Sequence, residues 1–275
     1  ATGGDIDITD SLIKSSVLDP PAHTNTVTVN LKASNSVNIL KTKTTDTGVI
    51  AYLQGTGDAT VTITATNVGI SVTGEKVVAQ VTGQGNAKVE MTAKTLIALS
   101  DEALVQALVG AGDSATVTLE AADIDITDSD VLATVTGDGE ASIEITAKDG
   151  DIDITDSLIK SSVLLDKPAS NSASVKLEAS DSITLTDTTG GGTCVIAYLD
   201  GNGDASVTMD AKGGDVTITN DEVTAEVTGT GKATVEIKAK TLMTLDEALV
   251  RALVDTCAGD SATVTLEAAD IDITD

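Results

Sequence analysis

The chain repeats itself. Residues 4–18, GDIDITDSLIKSSVL, recur unchanged at 150–164, and residues 112–128, GDSATVTLEAADIDITD, recur at 259–275. This long period, 4–149 and then 150–275, makes residues 1–275 one array rather than a set of unlike domains. A shorter period lies inside it. Segments of one common form end at Ala33, Ala65, Ala93, Ala121, Ala147, Ala179, Ala211, Ala239 and Ala268, at spacings of 26 to 32 residues. A repeat of that size cannot bury an apolar face alone and does so against its neighbours.

The cleanest unit is 122–147, ADIDITDSDVLATVTGDGEASIEITA, and it reads as three strands. They are Asp123–Thr127, Val131–Thr136 and Ala141–Ala147. Each alternates apolar and polar residues with period two, the mark of a strand with one buried face. Gly137 and Gly139 join the second to the third, and the same spacing recurs at Gly55/Gly57, Gly83/Gly85, Gly201/Gly203 and Gly229/Gly231. Glycine there allows positive φ without a steric penalty.

Two architectures share this pattern. In an all-β solenoid each unit is one coil of three short strands, and equivalent strands stack in parallel. Nine coils then make a rod roughly 43 Å long at about 4.8 Å per coil. In an antiparallel meander, stacked into an amyloid-like β-arch assembly, the Gly-x-Gly loops are hairpins. Ala93-Lys94-Thr95 and Ala121-Ala122-Asp123 lack good hairpin chemistry, and a long one-faced sheet needs a second sheet to cover it. The solenoid is the favoured reading. Ser100–Val109 and Asp246–Val254 stay ambiguous. Their caps and residue types suit a short helix, whereas the repeat alignment makes them strands.

Composition narrows the function. There is no Phe or Trp, and the only two Tyr are Tyr52 and Tyr198. Without aromatic bulk, the core is a thin one of Val, Ile, Leu and Ala, suited to stacked strands. Net charge is -27, a surface that repels nucleic acid and anionic membranes. No apolar run reaches the about 18 residues of a membrane span, so no membrane insertion is expected. Ala1 is the residue type left by cleavage of a secretory leader, although an internal boundary would read the same. With no Asn-x-Ser/Thr sequon, N-glycosylation is not expected.

The segments AKDGDIDITDS (147–157) and AKGGDVTITND (211–221) resemble the repeats of filamentous-haemagglutinin-type surface proteins. That resemblance implies a parallel β-helix on the cell surface. The coils here are longer than is usual in that family. In general character, repetitive, β-rich and poor in aromatics, the chain also looks like archaeal sheath and surface-layer structural proteins, some of them amyloid-like.

The expected function is therefore assembly. A solenoid normally needs caps over its terminal coils. The sequence opens almost at once on strand Asp5–Thr9 and closes on Asp270–Thr274, which predicts bare strand edges. Such edges are templates for another copy of the chain. The expected product is an extracellular homopolymer: a sheath, surface layer or fibre. An adhesin stalk or binding module within a longer surface protein is the alternative. Cys194 and Cys257 fall two coils apart at opposite strand ends, too far for the about 4.4–6.8 Å that a disulfide spans. They are candidates for bridges between chains, and two inert thiols are the alternative.

Other sites are weaker. Asp200, Asn202 and Asp204 alternate as calcium-loop ligands do, but the downstream bidentate Glu is missing. Asp123 and Asp125 of one coil stack on Asp151 and Asp153 of the next, about 4.8 Å away. Such like charges need solvent, salt, a raised pKa or a bridging cation, and calcium is the candidate cofactor. Thr60/Thr62, Thr116/Thr118 and Thr263/Thr265 line the third strands, but Lys88, Glu90, Glu144, Lys176 and Glu236 break the flat ladder that ice binding needs. Catalysis is not expected. The one histidine, His23, follows Pro20 and Pro21 with no marked triad partner, and Arg251 is the single arginine.

Overall fold

The computed structural model describes residues 1, 3–18, 24–43, 47–164, 171–188, 194–255 and 260–274. Every paired strand among them runs parallel to its neighbours, in three sheets. Sheet A has ten strands, from Ile6–Thr9 to Asp270–Thr274. Sheet B has nine, from Leu12–Leu18 to Leu249–Val254. Sheet C has nine, from Thr24–Ala33 to Ser261–Glu267. The chain visits A, B and C in turn, so each circuit is one coil of a β-solenoid.

The clean unit is found nearly as read, with strands Asp123–Thr127, Asp130–Thr136 and Glu140–Ala147. The antiparallel meander is excluded, because each strand pairs with the same strand of the preceding and following coils rather than with its chain neighbour.

Register turns the alternation into columns. Val117 sits opposite Ile143, and Leu119 opposite Ile145. Ile143 in turn faces Val175, and Ile145 faces Leu177. These inward side chains form one continuous core along the solenoid. Alanine fills the middle of sheet B, where Ala79, Ala107 and Ala133 stack and leave room for the larger residues of A and C. That geometry is why the core needs no aromatic residue.

The ambiguous segments are strands. Leu104–Val109 pairs on one side with Lys76–Val81 and on the other with Asp130–Thr136, burying Val105, Ala107 and Val109. Leu249–Val254 is its counterpart in sheet B. A helix there would leave two ladders unpaired, so the sheet overrides local propensity.

The Gly-x-Gly motifs are corners between sheets B and C, not hairpins. At Gly85 φ is +135°, and a Cβ would lie 1.8 Å from the carbonyl oxygen of Gly57 in the coil below. Glycine is required there by both the backbone angle and the close approach. The tight corners from A to B use the left-handed region instead, at Asp10, Asp128, Asp156 and Asn220. Asp and Asn tolerate that region better than other side chains.

Candidate assembly surface

The two ends of the solenoid differ from its middle in what covers the inward side chains. Val264 is 43% exposed, although its identical-sequence counterpart Val117 is 0% exposed. Ile271 and Ile273 are likewise open, while Ile124 and Ile126 are buried. At the other end, Ile6, Ile13 and Val17 are only partly buried, whereas Ile152, Ile159 and Val163 are closed over. The sequence is the same in each comparison. The difference is one coil of cover.

Among the described residues, each terminal edge also carries strand backbone that is laddered on one side only. Within the chain, Ile6–Thr9 pairs with Val37–Leu40, and Asp270–Thr274 pairs with Leu242–Asp246. The long edge strands Thr24–Ala33 and Ser261–Glu267 each pair with one strand of sheet C, and the Lys32 carbonyl of the first also accepts from the Ala1 ammonium at 2.6 Å. An open strand edge backed by uncovered Val, Ile and Leu is the arrangement that accepts another strand.

The outer faces are polar and cross-linked by charge. On sheet C, Lys176 lies 3.1 Å from Glu144 and 2.9 Å from Glu178, and Lys212 reaches Glu178 from the next coil. These exposed pairs decorate the wall and contribute little each. On sheet B, Lys14 lies over Tyr52 at 5.2 Å and Lys160 over Tyr198 at 5.5 Å. The only two aromatic side chains thus make the same contact in both long repeats.

The acidic ladder exists. Asp125 and Asp153 are direct neighbours in sheet A, and the Asp151 amide donates to Asp123 Oδ1 at 3.2 Å. Burial above all holds the Asp153 carboxyl above the usual range, with the charges of Asp151, Asp125 and Asp123 adding to it. Asp200, Asn202 and Asp204 do not converge. Asp200 accepts from Thr228 Oγ1, Asn202 accepts from Thr230, and Asp204 pairs in sheet C with Ser172 and Lys232. Among the described residues, no group of three or more His, Cys, Asp or Glu side chains could hold a metal ion.

Cys194 opens a sheet B strand between Leu158 and Glu222 and is a free thiol. Burial, followed by the charges of Glu222, Asp221 and Asp187, pushes its pKa up to about 11. Cys257 and His23 lie outside the described residues.

Sequence reasoning missed a column of buried polar side chains. The residue just before a sheet B strand points inward and is polar at Thr47, Glu75, Ser129, Ser157 and Asp221. Most have evident partners: Thr47 Oγ1 donates to Glu75, and Ser157 Oγ receives the Ser129 amide at 3.0 Å. Asp221 Oδ1 accepts the Glu222 amide at 2.6 Å, but Oδ2 has no partner. Burial pushes this carboxyl up to about 8. The signal was present as a polar residue recurring at one place in the unit, just before the second strand.

No family model matches this chain, and neither the curated proteins nor the solved structures contain a match to it.

Proposed function

We propose that the chain is a structural subunit that associates with copies of itself through its strand edges, building a fibre, sheath or layer at the cell surface. One observation carries the reading. Side chains that are fully covered in the middle of the array are uncovered, in identical sequence, at its end. Each coil thus takes its backbone partners and apolar cover from the coil stacked on it, and another copy of the chain offers coils of the same kind.

The rest of the molecule suits that role. The acidic wall, with a chain charge of -27, disfavours lateral collapse and binding to nucleic acid. Growth along the solenoid axis is then the direction in which apolar surface is removed from water. In this reading the subunit has no catalytic part to play, and its extracellular, sheath or surface-layer setting rests on the resemblance in repeat pattern and composition.

Light scattering and negative-stain micrographs of the purified 275-residue chain test the proposal. Rods that lengthen with concentration are the expected result. A monodisperse monomer at high concentration would overturn it and would favour a stalk.

A further inference from the structure

Of the three outer faces, that of sheet B is the least polar. The outward strand positions of sheet C hold Thr, Ser, Asn and charged residues, with no apolar side chain among them. On sheet B, by contrast, one column of outward positions reads Ile50, Val78, Gln106, Leu132, Lys160 and Ile196 across six successive coils. Leu108 and Leu158 flank that column on its two sides. Leu164, at the end of a strand well inside the array, is 41% exposed.

The two aromatic residues of the chain lie on the same face. Tyr52 and Tyr198 take the next outward position, two residues on from Ile50 and Ile196. Neither serves the core. Aromatic side chains placed outward among Ile and Leu are the composition of a protein–protein interface.

Charge also separates this face from the other two. In the strands of sheet B, Lys14, Lys76, Lys160 and Arg251 balance Asp130, Asp200, Glu222 and Glu226, so the face is formally neutral. The strands of sheet A carry acids and no Lys or Arg, and in the strands of sheet C acids outnumber bases. A neutral face on a chain of charge -27 is the exception.

We propose that two copies of this chain pair face to face through the outer surface of sheet B. This pairing stands beside strand-edge growth and does not depend on it. Charge selects a second copy as the occupant. Sheets A and C of one chain repel those of another, whereas a neutral face meets its like without that cost. A strongly basic partner would be drawn to sheets A and C instead. Size agrees as well. Nine strands of six or seven residues make a face about 20 Å by 40 Å, or roughly 800 Å². One side of a standard protein–protein interface buries about that much. Pairing removes the apolar column and both tyrosines from water. It also stops at two, because each solenoid has one such face and the acidic walls stay outward.

Mass per length, from unstained electron micrographs of the purified chain, tests the pairing. Two variants are compared with the parent. One carries Leu108→Glu with Leu132→Glu on sheet B, and the other carries Ser206→Glu with Thr208→Glu on the outer face of sheet C. Each adds two acids at outward positions, and circular dichroism checks that the fold persists. Pairing predicts particles two solenoids wide for the parent and the sheet C variant, and a twofold drop in mass per length for the sheet B variant. Parent particles one solenoid wide overturn pairing, and if they are rods they leave strand-edge growth standing. Discrete two-chain particles that the sheet B variant splits uphold pairing and overturn strand-edge growth. An unchanged width in the sheet B variant overturns pairing through this face. Tyrosine fluorescence gives a second reading that needs no variant, because without Trp the emission comes from Tyr52 and Tyr198, both on the face. Acrylamide should quench it more strongly as the parent is diluted and pairs separate, and quenching that ignores dilution overturns the proposal.

Discussion

Ile126 and Ile273 occupy the same place in two identical stretches of sequence, yet Ile126 is 0% exposed and Ile273 is 67% exposed. Inward side chains here owe their burial to the coil above, not to their own strand. Ile126→Ala should therefore cost about 2–5 kcal/mol of stability, the usual range for a buried Ile cut to Ala. Ile273→Ala in the monomer should stay within about 0.5 kcal/mol, as surface substitutions do. Urea midpoints of the two variants check this. Equal losses would mean that Ile273 is covered in solution.

Gly85→Ala should be among the most disruptive single substitutions. Its φ of +135° and the 1.8 Å approach to the Gly57 oxygen leave no room for a Cβ. Neighbouring coils would have to separate, at a cost of more than about 1 kcal/mol. Gly4→Ala, with nothing within 4 Å, is the matched control and should melt like the parent. Calorimetric melting of the two variants decides the point.

Asp221 should make stability fall as pH rises. Its carboxyl titrates at about 8 in the folded chain against 3.8 as the ordinary value. Between those limits the folded state holds a proton that the unfolded state has lost. The contribution is thus full below about pH 4 and is lost as pH climbs through 8, at no more than about 1.4 kcal/mol per pH unit. Asp221→Asn keeps a neutral group of the same shape. The difference in urea stability between parent and variant should therefore widen steadily from pH 5 to pH 8, and a constant difference would refute the assignment.

Cys194 should react slowly while the chain is folded. With its pKa near 11, little thiolate is present at pH 8. In a Cys257→Ser background, modification by a disulfide reagent should be on the order of 100-fold slower in buffer than in denaturant, because the thiolate is the reacting form. The two rates, followed by absorbance, test this. A fast native reaction would refute the raised pKa of Cys194.

Much of this fold could be read from the repeats, for a physical reason. Period-two alternation is a local property, so Asp123–Thr127 could be placed residue by residue before any partner was known. The choice between meander and solenoid was different. Alternation looks the same whether a strand's partner is antiparallel and adjacent or parallel and a whole coil away, as Asp125 is from Asp153. The calcium reading of Asp200, Asn202 and Asp204 was limited in the same way. Spacing in sequence says nothing of where carboxylates point, and these side chains turn to Thr228 and Thr230 or to sheet neighbours.

By itself, the sequence determined the repeat unit, its three strands, the apolar face of each and its glycine turns, because each depends on residues within a few positions of one another. Only the tertiary structure decided that Leu104–Val109 is a strand, that Asp221 is buried with one oxygen unpartnered, and that Ile273 stands open while Ile126 does not. Those outcomes depend on which coil lies next to which, and the forces that choose it, ladder hydrogen bonds and the burial of apolar columns, act between residues about one repeat apart.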